Sequence, residues 1–229
     1  MKLHNHELYR FFIEKNIPYL YHANTIGTAM TFMQVGGLLS RGEVENRKLF
    51  QTYQSSDEKD KTVGVWNDIF LDTIDLHGHF PWQNVYGPLS FEISIEFMLH
   101  YDFDIWITKN NPQYWNPTLS LKERYFTSVM DLSVNWDNYE RQRKMVTIRS
   151  ANEPILFDYI KAVVVDNPNI ELAGKSVLKE ATKGLKTALN GDEDFKKKFT
   201  VRKCENCYCK AYYSTYREYK LKRAFLEWS

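Results

Sequence analysis

YLYHANTIGTAMTFMQVGGLLSR, residues 19–41, is the stretch on which the reading of this chain turns. Tyr19, Leu20 and Tyr21 suit a brief buried strand, and Pro18 stops any helix before them. Asn24 and Thr25 follow, and either side chain can accept a hydrogen bond from a free helix N–H. Ile26, Ala29, Met30 and Met33 then recur at helical spacing, so a helix is predicted over Ile26 to Gln34. Gly36-Gly37 supplies its C-cap and the turn, and Leu38 to Arg41 resumes an extended path. A strand, a polar residue (His22) at its end, a capped helix and a glycine turn together predict an α+β fold in which His22 sits at a strand–helix junction.

Upstream, Leu8, Phe11 and Phe12 oppose Glu14 and Lys15, which predicts an amphipathic helix over His6 to Asn16. Downstream, Gly42 to Lys61 is polar and reads as a helix followed by a mobile loop able to lie over a ligand. Val63 to Leu76 mixes Ile69-Phe70-Leu71 with Asp68, Asp72 and Asp75, suggesting an irregular, partly buried segment. Val85 to Phe97 is the clearest strand, because Leu89, Phe91, Ile93 and Ile95 alternate with Ser90, Glu92, Ser94 and Glu96. Asp104 to Thr108 and Met145 to Arg149 are further strands, and Lys122 to Val134 is a helix candidate. Ile155 to Val165 carries both strand and helix signals. Past Asn167-Pro168 the composition shifts: Leu172 to Leu189 reads as a helix ended by Asn190-Gly191, followed by a basic, tyrosine-rich tail. The expected organisation is a body over residues 1–170 and a helical extension over 171–229 packed on it.

A hydrophobic content of 43% in 229 residues supports a packed core and excludes a disordered chain. No apolar run approaches the roughly 20 residues that cross a bilayer, and residues 1–10 lack an apolar signal core, so a soluble cytoplasmic protein is expected. The net charge of +1 is unevenly spread. Residues 195–229 hold ten Lys or Arg against three Glu, a net +7 that leaves −6 on the remainder. Such a split points to a polyanionic partner or an acidic docking surface. Cys204, Cys207 and Cys209 lie too close together for a disulfide framework. Their spacing suits zinc, but structural sites take four ligands and no fourth Cys or His stands nearby in sequence, so no metal is expected.

Three segments set one functional residue each beside a strand-like run: Tyr-Leu-Tyr-His at 19–22, Val-Tyr-Gly-Pro-Leu-Ser-Phe at 85–91 and Ser-Ala-Asn-Glu-Pro-Ile-Leu-Phe at 150–157. The resulting His22, Tyr86 and Glu153 resemble, in order and local setting, the His-Tyr-Glu pattern of ADP-ribosyltransferases. Residues 19–41, and Glu153 ahead of Pro-Ile-Leu-Phe, look like bacterial toxins of the DarT type or the related mRNA-modifying CmdT-type toxins. The resemblance covers roughly Tyr19 to Asp166. It implies a split antiparallel sheet that clamps NAD. His22 would then hydrogen-bond a ribose hydroxyl, Tyr86 would stack on nicotinamide and Glu153 would act at the reacting ribose. Asn24, Thr25, Arg41 and Arg149 are the further candidates for holding NAD, Arg41 and Arg149 through its phosphates. The family's essential arginine is expected from the segment after the glycine turn, which offers Arg41 and Arg47. A carboxylate suits this chemistry because positive charge develops on the ribose as the nicotinamide bond breaks.

The relatives modify nucleobases, and the tail interleaves basic residues with tyrosines, the ordinary means of holding single strands. Lys203, Lys210, Tyr212 and Arg217 are the candidates for that contact. The implied function is a toxin or anti-phage effector that transfers ADP-ribose from NAD to single-stranded nucleic acid, RNA ahead of DNA, and is restrained by an antitoxin. A protein acceptor is one alternative, and a non-catalytic nucleic-acid-binding module another. A metal nuclease built on His77, His79, Asp72, Asp75 and His22 lacks a recognisable spacing of acids.

Overall fold

The computed structural model describes residues 1–204 and 207–227. Nine strands are present among them: β1 (Tyr19–Asn24), β2 (Ile69–Asp72), β3 (Leu89–Ser94), β4 (Ile105–Ile107), β5 (Met145–Ile148), β6 (Ile160–Val165), the hairpin β7 (Glu171–Leu172) and β8 (Lys175–Ser176), and β9 (Phe199–Val201). Seven of them form one sheet in the order β4-β5-β2-β1-β3-β6-β9, antiparallel at every junction except β6–β9. The pairing is uneven. β1 pairs with β3 along its whole length, from Tyr19↔Ser94 to Asn24↔Leu89, but meets β2 through the single pair Tyr21↔Asp72. The sheet therefore opens beyond Tyr21, into a block β4-β5-β2 and a block β1-β3-β6-β9. This is the split expected from the resemblance.

Helices α1 (Asn5–Glu14) and α2 (Ile26–Val35) form where their apolar spacing predicts. The Thr25 hydroxyl caps α2 by accepting from the Thr28 amide, and Gly36 ends it in the left-handed region at φ 73°. Almost all of α2 is buried, packed against the helix Val177–Ala188 and the terminal helix Glu218–Phe225. The polar stretch after it folds into α3 (Arg41–Asn46), a loop, and α4 (Asp57–Thr62).

Several expectations need correction. Residues 63–76 contain a true strand, β2, whose four residues are too few to show a period but pair in full with β5. β3 begins at Leu89, so Tyr86 stands in the turn before it. Lys122 to Val134 is two short helices, Leu121–Arg124 and Val129–Val134, because Tyr125 between them pairs with Thr108 at the end of β4. The region 171–229 is not purely helical: β9 extends the main sheet, and Leu172 belongs to the β7–β8 hairpin. Its Val177, Leu185, Phe195, Tyr213 and Phe225 share one apolar core with Phe12, Phe91 and Ile93 of the body. Among the described residues, no helix is long and apolar enough to cross a membrane.

Candidate active site at the split of the sheet

The opening between β1 and β2 leads into a cavity of about 110 Å³ lined by His22, Asn24, Arg41, Phe70, Asp72 and Tyr86, among others. A second cavity of about 560 Å³ adjoins it, sharing Gln54, Ser56 and Tyr86. The smaller chamber is below the roughly 300–1,000 Å³ of ligand pockets, but the two together reach that range.

His22 spans the split. Its Nδ1–H donates to the Phe70 carbonyl on β2 at 2.8 Å, and since a carbonyl only accepts, this fixes the neutral tautomer. Nε2 is then an acceptor, and the Asn24 amide donates to it at 2.8 Å. Burial holds the imidazole pKa below its ordinary value; the Phe70 bond opposes this and the Arg41 charge adds to it. With both ring nitrogens engaged, His22 positions Asn24, whose carbonyl oxygen and second amide hydrogen have no hydrogen-bond partner among the described residues.

Tyr86 is brought to this place by its neighbour. Gly87 takes φ 152°, and a Cβ there would lie 2.1 Å from the Asn24 carbonyl, so only glycine lets the turn close against the end of β1. Tyr86 thereby lines both chambers, and burial raises its phenol pKa.

Arg41 lines the inner chamber but is already paired. Its guanidinium forks onto the Asp57 carboxylate at 2.7 Å, donates to the Thr52 carbonyl at 3.1 Å and lies over Trp66. Thr25 lines the outer chamber, where its hydroxyl donates to Thr52 at 2.8 Å. Arg149 is not in the lining. It ion-pairs with Asp68 at 3.1 Å, donates to the Tyr125 hydroxyl at 3.1 Å and lies over the Trp106 ring.

Glu153 is the main departure from the expected arrangement. Its side chain is 79% exposed and pairs with Arg47 at 2.9 Å, outside the lining of either chamber. The loop carrying it is held against the outer side of the Gly-Gly turn, through the Leu38↔Ile155 bridge and the Ser40 hydroxyl, which donates to the Ala151 carbonyl. His22 lines the inner chamber, whereas Glu153 is part of the lining of neither. The carboxylates that do line the inner chamber are Asp60, Asp68 and Asp72. Burial pushes Asp60 and Asp68 up to about 6, and burial followed by the nearby Asp75 charge pushes Asp72 up to about 8. Asp72 is the most informative, since it is the most strongly shifted of the three and lines the chamber together with His22 and Tyr86. The sequence signal for it was an acid at the end of an apolar triplet, unremarkable without the register.

The tail residues fall into two sets. Lys203, Lys210, Tyr212 and Arg217 are exposed and away from both chambers. Tyr212 and Tyr208 pack beside the exposed Trp82, with ring centroids 5.9 and 6.4 Å from it. Tyr213, Tyr216, Lys220 and Arg223, which belong to the basic, tyrosine-rich tail but not to the four candidates for nucleic-acid contact, line the outer chamber. Tyr213 is buried and donates to Asp166 at 2.7 Å.

No family model matches the chain, and no curated protein matches it. Among solved structures, it is similar to Thermus sp. 2.9 DarT in complex with NAD+, at 14% identity and a TM-score of 0.48, over 84% of this chain and 98% of that one. It is also similar to the same DarT in complex with ADP-ribosylated ssDNA, at 14% identity and a TM-score of 0.47, over 86% and 97%. Thermosipho africanus DarTG in complex with ADP-ribose matches at 15% identity and a TM-score of 0.45, over 80% of this chain and 49% of that one.

Proposed function

We propose that the protein is an NAD-dependent ADP-ribosyltransferase that modifies a base of single-stranded nucleic acid. The observation that carries this reading is the pair of joined chambers at the split of the sheet, with His22, Asn24, Tyr86 and Asp72 around the inner one. In this reading the nicotinamide ribose enters the inner chamber. Asn24, held by His22, bonds a ribose hydroxyl, and Tyr86 lies against nicotinamide. The adenosine diphosphate end occupies the outer chamber, where Lys220 and Arg223 supply positive charge.

Asp72, rather than Glu153, takes the carboxylate role. The cationic nicotinamide ring lowers its pKa by direct attraction, so binding of NAD favours the ionised form. As the C1′–N bond breaks and neutral nicotinamide leaves, the carboxylate faces the developing positive charge. A base nitrogen then bonds to C1′ and its proton passes to the carboxylate, which balances the transfer. The base must be unpaired to reach C1′, so a single strand is the substrate. The exposed Trp82, Tyr208 and Tyr212, with Lys203, Lys210 and Arg217 nearby in the chain, support such a partner. RNA is taken ahead of DNA as the acceptor. An enzyme with this activity would arrest a cell, which fits a toxin or anti-phage effector kept in check by an antitoxin.

The test is incubation with adenylate-labelled NAD and, in parallel, RNA, single-stranded DNA, duplex DNA and protein extract. Label on RNA or single-stranded DNA with release of nicotinamide is expected, and the two arms rank the acceptors. Label on protein alone would replace the acceptor. No label in any arm, with retained binding to single strands, would leave a nucleic-acid-binding module.

A further inference from the structure

The fourth ligand that the sequence lacks beside Cys204, Cys207 and Cys209 comes from 127 positions away. His77 lies on the short helix α5 (Leu76–His79), between β2 and β3, and is 4% exposed. Its Nε2 is 3.5 Å from the Cys207 sulfur and 3.6 Å from the Cys204 sulfur. Cys209 closes the group, 3.1 Å from the Cys207 sulfur and 3.4 Å from that of Cys204. All four ligand atoms lie within 4.8 Å of one another.

We propose that His77, Cys204, Cys207 and Cys209 form a structural zinc site. A tetrahedral ion with zinc–sulfur bonds near 2.3 Å sets its sulfur ligands about 3.8 Å apart, so a modest outward shift of the side chains admits the ion. The sulfur separations exceed the roughly 2.05 Å of a disulfide, and all three cysteines are free. Three thiols around one imidazole are the donor set of closed, four-coordinate zinc, with no position left for water or substrate.

The second observation is the other face of the imidazole. His77 Nδ1 is 2.9 Å from a carboxylate oxygen of Asp166, itself 1% exposed. That carboxylate also accepts from Arg202 Nε and from the Tyr213 hydroxyl, each at 2.7 Å. A metal-bound histidine is oriented in this way, with the distal nitrogen given to a carboxylate and the proximal one left for the ion. A histidine that only filled the core would not aim its remaining nitrogen at two sulfurs. His79, two residues on, packs on Phe80 and is not part of the group.

The site gives the tail its position. It joins the segment before the helix Cys209–Ser214 to α5, and the chain just beyond supplies Tyr213, Tyr216, Lys220 and Arg223 to the outer chamber. Zinc would thus clip the basic extension over the chamber. The assignment does not depend on the ADP-ribosyl reading, since its measurement is metal content.

The experiment is elemental analysis of the full chain, purified without a metal-affinity tag. The expected result is about one zinc per chain, released in step with titration of the three thiols by a mercurial. Cys207→Ser and His77→Ala should lose the metal, whereas His77→Cys and His79→Ala should keep it. The two retaining variants show that metal loss does not come from general misfolding. Absence of zinc, iron in its place, a disulfide among the three cysteines, or unchanged zinc in Cys207→Ser and His77→Ala would each overturn the proposal.

Discussion

His22 and His77 both have their two ring nitrogens engaged, yet they serve opposite purposes. At His22 the partners are a carbonyl across the split and a neighbouring amide, so the imidazole is a neutral strut between two half-sheets at the edge of a cavity. At His77 the partners are a buried carboxylate on one side and thiols on the other, and none of these residues lines either chamber. The difference shows that ring-nitrogen satisfaction alone does not separate a core histidine from a working one. What the partners are, and whether space opens beside them, does. Substitution at the first site should therefore change chemistry with little effect on stability, and substitution at the second should do the reverse.

The largest effect expected is on stability at the cysteine cluster. Stripping the metal with a chelator should cost on the order of 4 kcal/mol, since loss of a metal is among the few single changes that reach this size. The urea midpoint of the full chain measures it, and an unchanged midpoint would erase the distinction between the sites. His22→Ala should lower NAD turnover about 100-fold, a loss of about 2.7 kcal/mol in transition-state binding, with a much smaller shift in midpoint. A drop in stability as large as that at the cluster would make His22 a core residue after all.

Asp72 gives a pH signature. Its folded pKa of about 8 lies above the usual carboxylate value, so the folded chain keeps a proton that the unfolded chain sheds. The stabilisation associated with the protonated form is complete below about 4 and is lost as pH rises to about 8. Asp72→Asn should therefore flatten the fall in urea midpoint across that window and add about 2 kcal/mol at pH 7, while abolishing transfer. A slope unchanged by the substitution would remove Asp72 from the buried acids. Tyr212→Ala should weaken single-strand binding about tenfold in a fluorescence titration and leave NAD cleavage without acceptor unaffected. The smallest effect belongs to Glu153→Gln, which breaks an exposed pair with Arg47. Exposed pairs contribute little, so turnover should stay within about threefold of the parent.

The residues themselves explain what the sequence could and could not reveal. The unit from β1 through α2 was legible because its signals are local: a cap at Thr25, apolar spacing from Ile26, and a left-handed glycine at 36. β3 was legible from its alternation. β2 was not, because the four residues Ile-Phe-Leu-Asp show no period and only pairing with β5 makes them a strand. Asp72 ends that stretch and His77 follows it, and their surroundings depend on partners at positions 21, 166, 204, 207 and 209. Glu153 shows the converse. A motif placed it beside a strand, but side-chain direction and the Arg47 partner were set by how the loop packs on the glycine turn.

The most direct test is transfer of labelled ADP-ribose from NAD to single-stranded nucleic acid by three proteins in parallel: the parent chain, Asp72→Asn and Glu153→Gln. Label should appear with the parent and with Glu153→Gln, and be absent with Asp72→Asn. Loss of label with Glu153→Gln and its retention with Asp72→Asn would contradict the account, returning the catalytic carboxylate to the surface loop.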